Sequence, residues 1–168
     1  LADMEEAARS ARNMPSAANA FRNLRLNQRV DASNPAISRE VWMANAGEPE
    51  PGLFEDGRPV YGALDLSGKN DLTAMVWTCE NDDHGWDVLP EFWTPAEGIR
   101  ERQDQDRIPY MAWRDQGFLR ATPGRTVDYK AVAIRVAELL GMWNVVALKF
   151  DRWRIDDFRR ELLAIGVD

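Results

Sequence analysis

Two aspartates at the ends of short apolar runs are the residues with the clearest chemical meaning in this sequence. Asp65 follows a run that starts at Val60, and Asp151 follows a run that starts at Val145. An ionised carboxylate on a buried strand is costly unless it is paired or bound to a cation. Carboxylate oxygens suit Mg²⁺ or Mn²⁺, which can support phosphodiester hydrolysis. The two runs therefore suggest a metal site.

Each aspartate also has a simpler structural interpretation. Asp65 can cap the turn after a strand, and Asp151 can be the N-cap of a following helix. Two arginines beside Asp151 are equally ambiguous: Arg152 and Arg154 suit contacts with DNA phosphates, but they can also belong to a solvated helix face paired with acids. Spacing alone leaves these alternatives open.

Composition limits the classes of protein that this chain can belong to. The 168 residues, 45% of them hydrophobic, suffice for one domain with an appendage. A single cysteine and a single histidine exclude an internal disulfide framework and a standard structural zinc site. The net charge of -7 argues against a protein that coats nucleic acid nonspecifically, but it does not exclude an enzyme that binds DNA locally. No apolar stretch approaches the roughly 18 residues of a membrane span, so no membrane partner is expected.

Residues 1–58 are predicted to be a helical linker. An Ala-rich N-terminal helix should stop near Pro15, and a second helix should begin after Ser38 as its N-cap. Residues 47–58 are rich in glycine, proline and acids, which is typical of a connecting segment.

Residues 59–168 are predicted to form the main domain, with three antiparallel strands, helical segments, a parallel strand and a last helix. Strands are predicted at 60–66, 71–79, 86–93 and 145–150, with a brief one at 118–121, and helices at 94–106, 108–116, 127–142 and 155–165. Thr94 and Pro95 are the expected N-cap and first residue of a helix. The continuous apolar strand 145–150 is expected to be buried on both faces.

This order of elements is typical of a ribonuclease H-like α/β fold, in which helices flank a mixed sheet and the first strand lies beside the fourth. That adjacency would bring Asp65 and Asp151 together, where they can hold one or two cations. Without a cation, two close carboxylates repel each other and one of them takes up a proton.

Five stretches in fixed order carry a more specific signal. They are Phe21–Gln28 ahead of Trp42, Gly62–Ser67 with Asp71–Ala74, Phe92–Pro95 followed by Trp113 and Gly117, Thr122–Gly124 through Tyr129, and Phe150–Trp153. In this combination the chain resembles the nuclease domain of tailed-phage terminase large subunits, the ATP-driven motors that package and cut viral DNA. The similarity spans most of the sequence.

The resemblance implies roles for particular residues. Asp65 and Asp151 would be catalytic ligands of Mg²⁺ or Mn²⁺, with Arg152 and Arg154 contacting DNA. Asp71 matches a further acid of the family, although it can equally cap the second strand. In such proteins a third catalytic acid lies on a later strand and an ATPase domain precedes the linker. The chain therefore resembles a fragment, incomplete at its C-terminus, and little cleavage is expected from it alone.

The resemblance also implies a function and partners. The expected reaction is metal-dependent endonucleolytic cleavage of double-stranded DNA during genome packaging, in the cytoplasm of the infected bacterial host. Expected partners are double-stranded DNA, the ATPase domain of the same polypeptide, the portal protein and the small terminase subunit. Two alternatives remain: a noncatalytic interaction module that docks through a tryptophan-rich surface, and another ribonuclease H-like nuclease such as a transposase or resolvase. Most tryptophans are expected in the core, with Trp153 as the candidate for base stacking.

Overall fold

The computed structural model describes residues 2–28, 37–68, 71–152 and 154–167. Trp153, the candidate for base stacking, lies outside these residues. The chain divides into two units, residues 1–48 and residues 49–168. None of the described helices combines the length and the apolar character that crossing a membrane requires.

The first unit contains three described helices, α1 (Ala2–Asn13), α2 (Pro15–Leu26) and α3 (Arg39–Ala44). The N-terminal helix stops before Pro15, as predicted: α1 ends at Asn13 and Met14 is extended. Pro15 then begins α2, because the first position of a helix needs no backbone N–H donor. Ser38 is the N-cap of α3, as predicted, and its hydroxyl accepts a hydrogen bond from the Val41 amide at 3.2 Å.

An ion pair joins α2 to α3 in this unit. The Arg22 guanidinium donates a hydrogen bond to the Glu40 carboxylate at 2.8 Å. This hydrogen bond is the largest of several effects that lower the pKa of Glu40 from 4.5 to about 2.

The second unit is built on a mixed sheet with helices around it. Its elements are α4 (Pro51–Glu55), β1 (Val60–Asp65), β2 (Thr73–Glu80), β3 (Trp86–Pro95), α5 (Ile99–Asp106), α6 (Tyr110–Asp115), β4 (Arg120–Thr122), α7 (Tyr129–Met142), β5 (Val145–Phe150) and α8 (Ile155–Ala164). The strand order is β4-β3-β2-β1-β5. β1, β2 and β3 form an antiparallel meander, whereas β5 runs parallel to β1 and β4 runs parallel to β3. The predicted strand order, including the first strand beside the later parallel strand, is confirmed.

The core lies between one face of the sheet and the helices that follow it. Successive residues of a strand point to opposite faces, so alternate residues of β1 and β2 are buried. The core residues contributed by β1, β2, α7 and α8 include Val60, Leu64, Met75, Trp77, Val132, Val136, Leu139 and Phe158.

Gly62 lies on this buried face, where neighbouring side chains leave no room for a Cβ atom. A Cβ atom at this position would lie 2.7 Å from Cζ3 of Trp77 and 2.9 Å from Cδ1 of Leu148. Real side chains do not come so close. The position therefore requires glycine for space.

The segment predicted as a connecting linker contains α4 and contributes to the core. Phe54 is fully buried, and its ring lies 5.1 Å from that of Trp143, centroid to centroid. The backbone nearby is fixed as well, because the Asn144 side chain donates to the Gly57 carbonyl at 2.8 Å. Burial of one large aromatic side chain orders a segment whose composition is otherwise typical of loops.

Two local predictions were wrong. Thr94 and Pro95 do not begin a helix: they extend β3 and pair with Ala121 and Thr122 of β4. Pairing with a second strand outweighs the local capping signal, and α5 begins later, at Ile99.

β5 is not buried on both faces as expected. It lies at the edge of the sheet, and Val146 and Phe150 are 51% and 48% exposed. A continuous apolar run predicts a strand. Whether that strand is buried on both faces depends on neighbouring elements, which the run itself does not specify.

Candidate functional site

The two aspartates singled out by the sequence leave the sheet at the same edge. In the parallel pair of β1 and β5, Leu64 lies opposite Phe150, and Asp65 and Asp151 are the next residues of each segment. Neighbouring strands lie about 4.8 Å apart. The predicted adjacency of the two strand ends is therefore confirmed.

Both side chains are exposed, and this corrects the physical premise from which the sequence argument began. Asp65 is on the face of β1 that the helices of the core do not cover, and Asp151 follows an edge strand. A solvated carboxylate carries little desolvation cost, so burial does not oblige either side chain to bind a cation. Among the described residues there is no group of three or more Asp, Glu, His or Cys side chains that could hold a metal ion. Strand pairing places the strand ends that carry Asp65 and Asp151 side by side.

Asp71 lies at the same edge, because β2 runs antiparallel to β1 and begins close to where β1 ends. Its carboxylate accepts a hydrogen bond from the Leu72 amide at 2.9 Å, and its carbonyl accepts one from the Ser67 hydroxyl. These contacts match the alternative in which Asp71 caps the second strand.

The N-cap interpretation of Asp151 is wrong, because α8 has Arg154 at its N-cap position. The first turn of α8 carries Asp156 and Asp157, acids that suit the positive end of a helix dipole. Arg160 forms an ion pair with Asp157, as a solvated helix face predicts.

Arg154 behaves differently from Arg160. Its guanidinium is exposed and makes no hydrogen bond or ion pair with any other described residue. The same holds for Arg152 within the described part of the chain. Both of the cations proposed for phosphate contacts are thus available.

A polar cleft of about 440 Å³ lies beside the strand ends. It is lined by Gly68, Thr126, Val127, Tyr129, Arg154, Asp157, Arg160 and Glu161. The Tyr129 hydroxyl donates a hydrogen bond to the Ser67 carbonyl at 2.6 Å, which ties the start of α7 to the loop after β1. Sequence reasoning gave Gly68 and Tyr129 no role in the site, and the only signal for Tyr129 was its place in a stretch of family resemblance.

The tryptophans divide between the core and the surface. Trp77 and Trp93 are buried, which confirms the prediction of core packing for them. Trp86 is 56% exposed, and Trp113 lines a second, apolar cleft with Phe118 and other residues. These surface aromatics keep the docking alternative open.

Comparison with known proteins gives a consistent result. The family model for the endonuclease domain of the terminase large subunit matches residues 1–167. The large terminase subunit of Enterobacteria phage HK97 is 48% identical over 165 residues, covering 98% of this chain and 32% of the relative. Protein YmfN of Escherichia coli strain K12 is 28% identical over 130 residues, covering 73% of this chain and 29% of the relative.

A solved structure agrees with these sequence comparisons. The crystal structure of the HK97 bacteriophage large terminase matches with a TM-score of 0.71 and 48% identity, covering 99% of this chain and 34% of that one. The predicted ribonuclease H-like α/β fold is thereby confirmed. The chain spans about a third of the length of the relatives it matches.

Proposed function

The chain belongs to the family of terminase large subunit endonuclease domains, and from this we propose that it cleaves double-stranded DNA in a metal-dependent reaction during genome packaging. The observation that supports the proposal most directly is the position of Asp65 and Asp151 at the ends of two adjacent parallel strands.

The chemistry of these donors fits the proposed metal. Mg²⁺ and Mn²⁺ prefer oxygen ligands, and Mg²⁺ commonly keeps several waters while one or two carboxylates hold it. Asp65 and Asp151 are exposed carboxylates on adjacent strand ends, and Asp71 is a further candidate at the same edge. A bound divalent ion would supply activation of water and stabilisation of the charge that develops on the phosphate.

The roles of the protein groups follow from their positions. Asp65 and Asp151 are proposed as metal ligands and thus as catalytic residues. Arg152 and Arg154 are proposed to contact the DNA backbone, because guanidinium groups bind phosphate oxygens in a sequence-independent way. Their location after β5 would put these contacts next to the two acids. The net charge of -7 over the whole chain would keep DNA binding local.

The wider setting is also a proposal, since the relatives are about three times as long as this chain. The first unit would link the nuclease to an ATPase domain of the same polypeptide, and the third acidic ligand would come from outside residues 1–168. The portal protein and the small terminase subunit would be partners of the whole protein. It would act in the cytoplasm of an infected bacterium.

Metal binding is the first test of this function. Isothermal titration of the chain with Mn²⁺ should give a weak binding isotherm that Asp65→Asn and Asp151→Asn reduce or remove. Asp83→Asn is the matched control, because Asp83 is an exposed acid in the turn between β2 and β3 and has no place at the proposed site. Equal heats for the wild type and Asp65→Asn would favour the noncatalytic docking module, for which the exposed Trp86 and Trp113 are the supporting observation.

DNA cleavage is the second measurement, and it is made on the full-length large subunit that carries this sequence. Plasmid DNA with Mn²⁺ should be cut by the wild type and by Asp83→Asn but not by Asp65→Asn or Asp151→Asn. The 168-residue chain alone should cut little, because two carboxylates bind Mg²⁺ or Mn²⁺ weakly and position water poorly. Full activity of either site variant would contradict the assignment.

A further inference from the structure

We propose that Arg154 and Gly68 form a phosphate-positioning pair beside the strand ends that carry Asp65 and Asp151. In this pair Arg154 holds one phosphodiester group of the DNA, and Gly68 leaves the space that the guanidinium occupies. The inference deepens the proposed nuclease function and rests on it.

The plane of the Arg154 guanidinium lies close against Gly68. A Cβ atom on Gly68 would lie 3.1 Å from Nη2, 3.2 Å from Cζ and 3.6 Å from Nε of Arg154. Three similar distances mean that the face of the guanidinium lies over the Gly68 backbone. The N–H donors of a guanidinium lie in its plane, so this contact leaves them available to an acceptor.

Space, not backbone conformation, is what a substitution at position 68 would change. The φ angle of Gly68 is outside the left-handed region, so an L-residue can adopt its backbone. An added methyl group would instead lie in tight contact with the guanidinium, which would have to move by a few tenths of an ångström. Gly68→Ala is therefore a substitution that acts through Arg154.

The backbone of Arg154 adopts a conformation that is unfavourable for residues other than glycine. Its φ and ψ angles are 58° and 10°, in the left-handed region that is sparsely populated by residues with a Cβ atom. Such strain is often found where a side chain must be held in a particular place for function. The Arg154 side chain reaches the loop after β1, where its guanidinium lies beside Gly68.

The unpaired guanidinium of Arg154 suits an anionic ligand. The Arg154 guanidinium lacks a hydrogen bond or ion pair within the described residues, whereas Asp157 is paired with Arg160; Glu161 is a second acid of the same cleft. A guanidinium fork matches two oxygens of a phosphodiester, and hydrogen bonds between such charged groups are short and strong. The cleft opens beside the edge where Asp65 ends β1, so a phosphate bound there would belong to the DNA near the proposed cleavage site.

The test is a double-mutant cycle on DNA binding, measured without cleavage. Fluorescence anisotropy of a short labelled duplex is followed in EDTA for the wild-type chain, Gly68→Ala, Arg154→Ala and the double variant. Arg154→Ala should weaken binding roughly tenfold and reduce the salt slope of log K by about 0.9, the value for one phosphate contact. Gly68→Ala should weaken binding several-fold in the wild-type background and have no further effect when Arg154 is absent.

Two controls separate this role from charge and folding effects. Arg159→Ala removes the same charge from an exposed position of α8 outside the cleft and should have a clearly smaller effect. Arg154→Lys keeps the charge without the planar fork and should restore only part of the affinity. Circular dichroism melts establish that each variant is folded.

Several outcomes would overturn the inference. They are an undetectable affinity of the wild-type chain for the duplex, an equal loss from Arg154→Ala and Arg159→Ala, no loss from Gly68→Ala, or an equal loss from Gly68→Ala in both backgrounds. The assay contains no divalent metal and no variant of the two acids. It can therefore fail while metal binding and cleavage succeed, or succeed while they fail.

Discussion

Truncation of Phe54 tests whether the segment before β1 is a true part of the folded domain. The ring is fully buried against Trp143, so Phe54→Ala removes most of a large apolar side chain and leaves a cavity. Such changes cost about 3–5 kcal/mol. For a unit of this size 1 kcal/mol shifts the melting temperature by about 4 °C, so a decrease of about 12–20 °C is expected.

Thermal and urea denaturation, both followed by tryptophan fluorescence, are the appropriate assays, because Trp143 is in direct contact with the deleted ring. Glu55→Ala is the control: Glu55 is exposed on the same short helix, and surface substitutions usually change stability by less than about 0.5 kcal/mol. If Phe54→Ala unfolds at the same urea concentration as Glu55→Ala, the reasoning is refuted and the segment behaves as a linker.

Two further substitutions probe contacts in the two units. Gly62→Ala should destabilise the second unit by about 1–3 kcal/mol, because the new methyl group overlaps the packed core; a variant as stable as the wild type in the same urea assay would show that the core can relax. In the first unit, the Glu40 pKa of about 2 lies below its ordinary value of 4.5, so the stabilisation from this carboxylate is present above pH 4.5 and is lost as the pH falls toward 2. Titration of Glu40 by NMR should give this low midpoint, and Arg22→Gln should return it toward 4.5; an unchanged midpoint in the variant would contradict the assigned cause.

The main elements of the sheet were predictable because their patterns are local. β1 and β2 are runs rich in apolar, β-branched and aromatic residues bounded by turn residues, and the N-cap of α3 is a single residue, Ser38, that contacts its own helix. Predictions failed where distant residues decide the outcome. Thr94 has a good capping sequence, but β4 is available to pair with it, and Phe54 finds its partner Trp143 far along the chain.

The candidate site divides in the same way. The juxtaposition of Asp65 and Asp151 follows from strand order, which the sequence pattern specified. Their exposure did not follow, because it depends on what covers the open face and edge of the sheet. The contact of Arg154 with Gly68 could not be predicted from the sequence. It depends on a left-handed backbone conformation at Arg154 and on a loop from a distant part of the chain.

The position of β5 has a consequence for the behaviour of the chain at high concentration. Among the described residues, β5 pairs with β1 on one side and with no strand on the other, and its apolar Val146 and Phe150 are about half exposed. An exposed strand edge of this kind can pair with a strand of another molecule and so promote aggregation. Lys149 is the single charged residue of β5, and as a gatekeeper it opposes self-association through repulsion between stacked ammonium groups.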